Sequence, residues 1–114
     1  MTTTVPTDDD VKALYSFIMQ RADEEWAAIN GDEALHATHP DAAARFYRVS
    51  NSNKLAVTST RRCLADLLDR GDDKLAELIW HLLTAAGEEW KDHPDYLPRW
   101  ENHQRAEIRR QLAG

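Results

Sequence analysis

Apolar side chains recur at three- and four-residue steps along the first part of the chain, beginning at Val11. This spacing places them on one stripe of an α-helix. Thr7 is suited to cap the helix, and Asp10 stands where its carboxylate completes a capping box. Asn30 and Gly31 are expected to end the helix, because glycine readily adopts the left-handed backbone conformation common at helix C-termini. The pattern predicts a first helix between Thr7 and Gly31, and its stripe consists of Val11, Leu14, Tyr15, Ile18, Ala22, Trp26 and Ile29.

A second helical period follows a polar connection at residues 31–39. Pro40 suits the first turn of a helix, because the backbone N–H that proline lacks would have no intrahelical partner there. The negative charge of Asp41 is favourable near the positive N-terminal end of the helix dipole. Residues 50–53 are Ser-Asn-Ser-Asn, which are poor helix formers, so the pattern leaves open whether the helix is continuous or kinks there. The period runs up to Gly71 through Phe46, Val49, Asn53, Ala56, Thr60, Cys63, Leu64 and Leu67.

A third helix is predicted to begin at Asp72 or Asp73 and to end before Pro94 and Pro98, because proline disfavours helical geometry in the preceding residue. Its apolar stripe consists of Leu75, Leu78, Ile79, Leu82, Leu83, Ala86 and Trp90. A short amphipathic helix with a narrow apolar face is expected after Pro98, since apolar or long side chains there are four residues apart: Trp100, Gln104, Ile108 and Leu112.

These elements predict an all-α fold, a small helical bundle of three long helices plus a short C-terminal helix. No segment shows the alternating pattern of a half-buried strand. With 114 residues the chain is expected to form a single domain over residues 1–114, with a flexible N-terminus at 1–6 and a C-terminal helical extension at 101–114.

The formal charge of −6 argues against non-specific nucleic-acid binding, which needs Lys and Arg to neutralise phosphates. Charge also alternates along the chain: residues 1–33 carry −6, 34–70 carry +3, 71–98 carry −5 and 99–114 carry +2. Oppositely charged helices are therefore expected side by side in the bundle. No apolar run approaches a membrane span and Cys63 is the only cysteine, so a reducing, cytoplasmic location away from membranes is expected.

One local pattern occurs twice, as His39-Pro40-Asp41 and again as His93-Pro94-Asp95. In each copy three residues separate the tripeptide from an arginine, which an aromatic residue follows directly. Proline in the first turn and an aspartate near the positive N-terminal end of the helix dipole are typical of helix starts. Both copies are therefore expected to open helices.

Catalysis has little support in the sequence, which contains neither a Gly-rich phosphate loop nor a nucleophile motif. Cys63 is expected to pack inertly within an apolar stripe. We therefore predict no enzyme activity, no catalytic residue, no metal site and no cofactor. An alternative is a metal-binding sensor or hydrolase built on His36, His39, His93 and Asp95, if the bundle brings their loops together.

A second alternative is a nucleic-acid-associated regulator that uses the basic side of the second predicted helix, with Arg45, Arg48, Arg61 and Arg62. A solvated face opposite the acidic helices explains the same residues more simply.

The density of aromatic residues is highest near the third helix end, where tryptophan and tyrosine are typical anchors of protein interfaces. The candidate interaction residues are Trp90, His93, Asp95, Tyr96 and Trp100.

Three stretches carry a family resemblance: the amphipathic helix from Leu14, the His39-Pro40 helix start followed by Ala44-Arg45, and Asp92-His93-Pro94-Asp95-Tyr96-Leu97-Pro98-Arg99-Trp100. The chain resembles small actinobacterial and actinophage proteins of no assigned function that end in this last signature. The resemblance implies an actinobacterial or phage setting and no mechanism. The sequence thus favours a small cytoplasmic protein interaction or regulatory module of phage or prophage origin, with a second copy of itself as the first expected partner.

Overall fold

The computed structural model of the chain describes residues 5–101. Within that range it contains no strand and has four helices, α1 (Asp8–Asn30), α2 (Glu33–Thr38), α3 (Pro40–Asp69) and α4 (Asp73–Gly87). Two single 3-10 turns follow, at Glu88–Trp90 and Pro98–Trp100. The predicted all-α bundle with three long helices is confirmed. Residues 102–114 of the predicted C-terminal helix and residues 1–4 of the predicted flexible N-terminus lie outside the described residues.

The helix starts follow the sequence closely. Thr7 caps α1 with a complete capping box, in which its hydroxyl accepts the N–H of Asp10 and the Asp10 carboxylate accepts the N–H of Thr7. Asp72 caps α4 by accepting the N–H of Leu75. These local side-chain bonds satisfy N–H groups that have no partner within the helix, which is why the starts can be identified from sequence.

The helix ends differ from the prediction at Gly31. That glycine was expected in the left-handed conformation, but its φ is −83°, because α2 begins almost at once and Asp32 caps it. Among the described residues, the glycine in the left-handed conformation is Gly71, with φ of +74°. The N–H groups of Gly71 and Asp72 bond the carbonyls of Leu68 and Leu67, as in a Schellman motif. A side chain at Gly71 would strain this turn.

Two further features of the region between α1 and α4 were not predicted. Residues 31–39 contain a short helix, α2. Asp32 caps this helix, because its carboxylate accepts the N–H of Leu35. Helix α3 is continuous through residues 50–53. Tertiary contacts override the weak propensity there, since Lys54 pairs with Asp23 of α1.

The core lies where α1, α3 and α4 meet. Its buried side chains are Val11, Leu14, Phe17, Ile18, Leu64, Ala76, Trp80, Leu83 and Trp100. Helices α1 and α4 approach closely at Gly87, where a Cβ atom would lie 2.9 Å from Leu14 Cδ1. Gly87 therefore permits this close contact, and the chain that follows it is held against α1.

Candidate functional site

The predicted interaction residues form a compact arrangement that we call the C-terminal corner, defined as residues 90–100. Its centre is Phe17 of α1. The Phe17 ring centroid lies 5.2 Å from that of Trp100, 5.5 Å from His93 and 6.0 Å from Tyr96, and 6.5 Å from Trp90. The contacts with Trp90, His93 and Tyr96 are edge-to-face, an arrangement that stabilises aromatic packing beyond the apolar area that is buried. The corner is thereby attached to the middle of α1.

Arg21 of α1 is the polar centre of the same arrangement, although it is only 5% exposed. Its guanidinium contacts both ring nitrogens of His93, at 3.2 Å for Nδ1, and donates to Glu24 at 2.9 Å. The Asp95 carboxylate lies 3.7 Å away, and the guanidinium also lies over the Phe17 ring at 5.3 Å. Burial of a cation needs such partners, because an unpaired buried charge is costly.

Backbone hydrogen bonds close the chain into turns around His93. Its N–H donates to the carbonyl of Trp90, its carbonyl accepts from Tyr96, and its Nδ1 accepts the N–H of Asp95 at 3.0 Å. The second His-Pro-Asp tripeptide therefore forms a turn and does not open a helix as predicted. The reason is that the imidazole bonds both the tripeptide's own backbone and Arg21, which ties the tripeptide to α1 as a turn.

The corner residues face inward to different degrees. Trp100 is 3% exposed, Trp90, His93 and Tyr96 are half-buried, and Asp95 is exposed. The indole N–H of Trp90 donates to Glu25 of α1 at 2.9 Å. Trp100 was expected to begin a C-terminal helix, but it ends the 3-10 turn at Pro98–Trp100, since the next residue, Glu101, has a non-helical ψ of 130°. Its ring packs on Phe17. The corner therefore holds the chain that follows α4 against α1.

Tyr96 lies in an apolar and acidic setting within the corner. Burial raises the pKa of its phenol above the ordinary value of 10.0, and the nearby carboxylates of Glu88 and Glu101 raise that pKa further. Within the described part of the chain its buried hydroxyl has no hydrogen-bond partner. The ring contributes to packing, and the hydroxyl is held in its neutral form.

The histidines of the metal-binding alternative lie in different settings. His36 and His39 are exposed, on α2 and at the start of α3, and His39 Nδ1 is 2.8 Å from the Thr38 hydroxyl. His93 is in contact with the Arg21 guanidinium, so a metal ion there would have to displace a buried cation. Across residues 5–101 there is no group of three or more His, Cys, Asp or Glu side chains that could hold a metal ion.

The arginines of the nucleic-acid alternative are divided between two sides of α3. Arg61 lies over the Tyr15 ring of α1, with 4.7 Å between its Cζ atom and the ring centroid. Arg45, Arg48 and Arg62 are exposed. The predicted basic surface is therefore smaller than the sequence suggested, and three arginines form its exposed part.

A second region of the molecule has the opposite character. Leu75, Leu78 and Leu82 of α4 are 47%, 56% and 61% exposed, although α4 already buries Trp80 and Leu83 on its inner side. On the adjacent side of α3, Val49 is 57% exposed, and Ala56 and Cys63 are exposed as well. We call this surface the α3–α4 face. Cys63 was expected to be packed, but its position on this face leaves it accessible.

A groove of about 640 Å³ opens beside the α3–α4 face, between α1, α3 and α4. Apolar side chains dominate its lining, and polar groups such as Glu25 and Lys54 stand at its margin. The main apolar contributors are Ile18, Met19, Phe46, Val49, Ala56, Val57, Leu82, Leu83, Ala86 and Trp90. Val49, Ala56 and Leu82 belong to both the groove and the face, so the two features are continuous.

Two residues that hold the corner in place, Phe17 and Arg21, were not among the predicted interaction residues. Both follow Leu14 at helical steps of three and seven residues, so they could have been placed on the apolar stripe of α1. An arginine in that stripe is the signal that a buried polar partner exists elsewhere. The exposed leucines of α4 were detected as an apolar stripe, but periodicity alone could not tell that another side of the helix faces the core.

Comparisons of the chain with models of protein families, with curated proteins and with solved structures found no match. None of the helices within residues 5–101 is both long enough and apolar enough to cross a membrane.

Proposed function

We propose that this chain is a non-catalytic protein interaction module that binds its partner through the α3–α4 face. The observation that carries the proposal is the exposure of Leu75, Leu78 and Leu82 on a helix that also buries its opposite side. Apolar side chains on two sides of one helix are normally covered by packing partners on both sides. Contiguous exposed apolar surface on a soluble domain is typical of interaction sites.

The C-terminal corner is assigned a supporting role in this proposal. Its aromatic rings pack on Phe17, and Trp100 is buried, so it stabilises α1 against the end of α4. The polar groups most suited to chemistry, Arg21 and His93, already bind one another. This arrangement favours a structural use of the signature residues, with Asp95 as the exposed member that a partner can reach.

The proposed setting is the cytoplasm of an actinobacterium or of a phage-infected cell. The Asp-His-Pro-Asp-Tyr signature supports the biological setting, and the lone cysteine supports a reducing compartment. A regulatory role follows naturally for a domain whose principal exposed feature is an apolar contact surface.

Site-specific photo-crosslinking in an actinobacterial host tests the proposal. A photoreactive phenylalanine derivative replaces Leu78 on the face or Leu55 as a matched control, because Leu55 is 68% exposed and does not line the groove. Successive helix positions are about 100° apart, so Leu55 points away from the side of Ala56 that approaches α4. We expect protein adducts from position 78 and few from position 55.

The identity of the adduct then separates two results. An adduct with any protein, including the chain itself, formed only from position 78, supports the interaction module. Equal adduct formation from both positions, or none from either, contradicts it.

A further inference from the structure

We propose that residues 102–114, the C-terminal segment, bind the polar side of α4 in the same chain. This side consists of Glu77, His81 and Thr84, and of Glu88 directly after the helix. Successive helix positions are about 100° apart, so these side chains fall within about 60° of one another. Their centre lies about 120° around the helix from the exposed leucines of the α3–α4 face. The inference therefore concerns a different surface from the proposed function.

The polar side of α4 is largely covered. Thr84 is 1% exposed and Glu88 is 8% exposed, while Glu77 and His81 are half-buried. The Thr84 hydroxyl donates to the carbonyl of His81 at 3.0 Å, and His81 Nε2 lies 3.9 Å from the Glu77 carboxylate. A carboxylate as buried as that of Glu88 is costly unless a cation or hydrogen-bond donors meet it. The polar side therefore favours a basic partner.

The last described residues lie beside this side of α4. Trp100 is buried in the core, and the non-helical ψ of Glu101 turns the chain out of the preceding 3-10 turn. The carboxylates of Glu88 and Glu101 both raise the pKa of Tyr96, so these three side chains are near one another. The C-terminal segment therefore starts close to the buried carboxylate of the polar side.

The length of the C-terminal segment matches the polar side. Asparagine is favoured as a helix N-cap, which suits Asn102 to begin the helix that the periodicity after Pro98 predicts. A helix over residues 103–114 would be about 18 Å long at 1.5 Å per residue. The distance along α4 from Glu88 back to Glu77 is about 16 Å on the same basis. One helix is thus long enough to cover the whole polar side.

The charge of the segment is opposite to that of the polar side. Residues 102–114 carry three arginines and one glutamate, a formal charge of +2. On the predicted helix Arg105 and Arg109 lie next to Ile108 and Leu112, because all four are three or four residues apart. Arg110 lies on the other side, about 160° from Ile108. One face of the segment therefore combines an apolar strip with two cations.

An antiparallel course along α4 brings the matching groups together. Ile108 is seven residues after Glu101, and His81 is seven residues before Glu88, so Ile108 and His81 lie at the same level. The arginines four residues apart on this face then lie toward the two carboxylates of the polar side, one toward each end. Ion pairs in such a half-buried setting are stronger than those on an open surface.

Thiol crosslinking in the full chain tests the position of the segment. Cys63→Ser removes the native thiol, and Ile108→Cys supplies one end of each pair. The second cysteine replaces His81 or, as a matched control, its neighbour Leu82, which points about 100° away and is 61% exposed. A short bismaleimide joins the thiols, and mass spectrometry measures the intramolecular product. We expect about 10-fold more product with His81→Cys than with Leu82→Cys, because only position 81 faces the segment.

Charge reversal in the His81→Cys/Ile108→Cys protein tests the ion pairs. Arg105→Glu/Arg109→Glu should lower the yield of intramolecular product by about 10-fold at low salt, because it places like charges against the polar side. Adding Glu77→Arg should recover part of that yield. Arg110→Glu changes the net charge on the other side of the predicted helix and should alter the yield by less than about 2-fold. Circular dichroism checks that each variant keeps its helix content.

Equal yields with His81→Cys and Leu82→Cys, or a higher yield with Leu82→Cys, would overturn the inference. A product formed mainly between two chains would overturn it as well, since the segment would then bind another copy. An equal loss of yield with Arg110→Glu would contradict the proposed ion pairs. These outcomes are distinguishable from failure of the proposed function, which is tested separately by photo-crosslinking from position 78 on the α3–α4 face.

Discussion

The two His-Pro-Asp tripeptides have the same sequence and different structures. His39-Pro40-Asp41 opens α3, with Pro40 in the first turn and the His39 side chain exposed. His93-Pro94-Asp95 forms a turn in the C-terminal corner, where the imidazole contacts the buried Arg21. The difference lies in the surroundings, since only the second copy faces an aromatic ring and a guanidinium from α1. A short motif therefore sets only a local conformational preference, and contact with a buried partner can change the structure that it adopts.

Removal of the Arg21 guanidinium should have the largest effect on this difference. Arg21→Met keeps the apolar stem but removes the contacts to His93, Glu24 and Asp95. We expect a loss of about 2–4 kcal/mol in the free energy of unfolding, typical of breaking a buried hydrogen-bonded group. Urea denaturation measures the change. Lys12→Met, at an exposed ion pair on the same helix, should cost less than about 0.5 kcal/mol.

Equal effects of Arg21→Met and Lys12→Met would mean that the corner does not depend on the buried cation. In that case the aromatic packing on Phe17 alone would hold the second tripeptide in its turn.

The paired histidine variants compare the two copies directly. His93→Ala should destabilise the protein by about 1–3 kcal/mol, because it leaves the buried Arg21 guanidinium with one acceptor fewer. His39→Ala should cost less than about 0.5 kcal/mol, since that side chain is exposed and gives α3 no side-chain cap. Thermal unfolding followed by circular dichroism measures both. Similar destabilisation by the two variants would contradict the assignment of distinct roles.

The smallest effect at neutral pH is expected for Tyr96→Phe. The buried hydroxyl has no partner within the described residues, so its removal should change stability by less than about 0.5 kcal/mol at neutral pH. Above pH 10 the native protein should lose stability, because the raised pKa of Tyr96 means that the unfolded chain releases this proton first. The variant should lose less stability over the same alkaline range.

Urea denaturation of both proteins at neutral pH and above pH 10 checks this sign. The contribution of Tyr96 is fully present below pH 10 and is lost as the pH rises through the raised pKa. A variant with the same alkaline loss as the native chain would show that the Tyr96 phenol is not the titrating group.

The predictions that succeeded concern interactions within one segment. The capping box at Thr7 and the Asp72 cap each involve residues three positions apart, so their geometry is already present in the sequence. The starts of α1 and α4 followed from such signals, whereas the start of α3 has no side-chain cap and followed from Pro40 in the first turn. The all-α class followed from periodicity over many residues, which random variation does not easily imitate.

The predictions that failed depend on what packs against a segment. The apolar stripe of α4 covers more than one side, and only the positions of α1 and α3 decide that Leu83 is buried while Leu82 is exposed. Cys63 was expected inside and lies outside for the same reason. Gly31 was assigned a left-handed stop because the start of α2 at Asp32 was not foreseen.

By itself, the sequence determined the all-helical class, the starts of the three long helices and the set of residues that form the corner. These features depend on hydrogen bonds and periodicities that span a few residues. Only the tertiary structure decided that Arg21 and Phe17 hold the second tripeptide in a turn and that α4 leaves Leu75, Leu78 and Leu82 uncovered. The reason is that burial depends on neighbours that are distant along the chain. The identity of a hydrophobic residue does not indicate which neighbour will cover it.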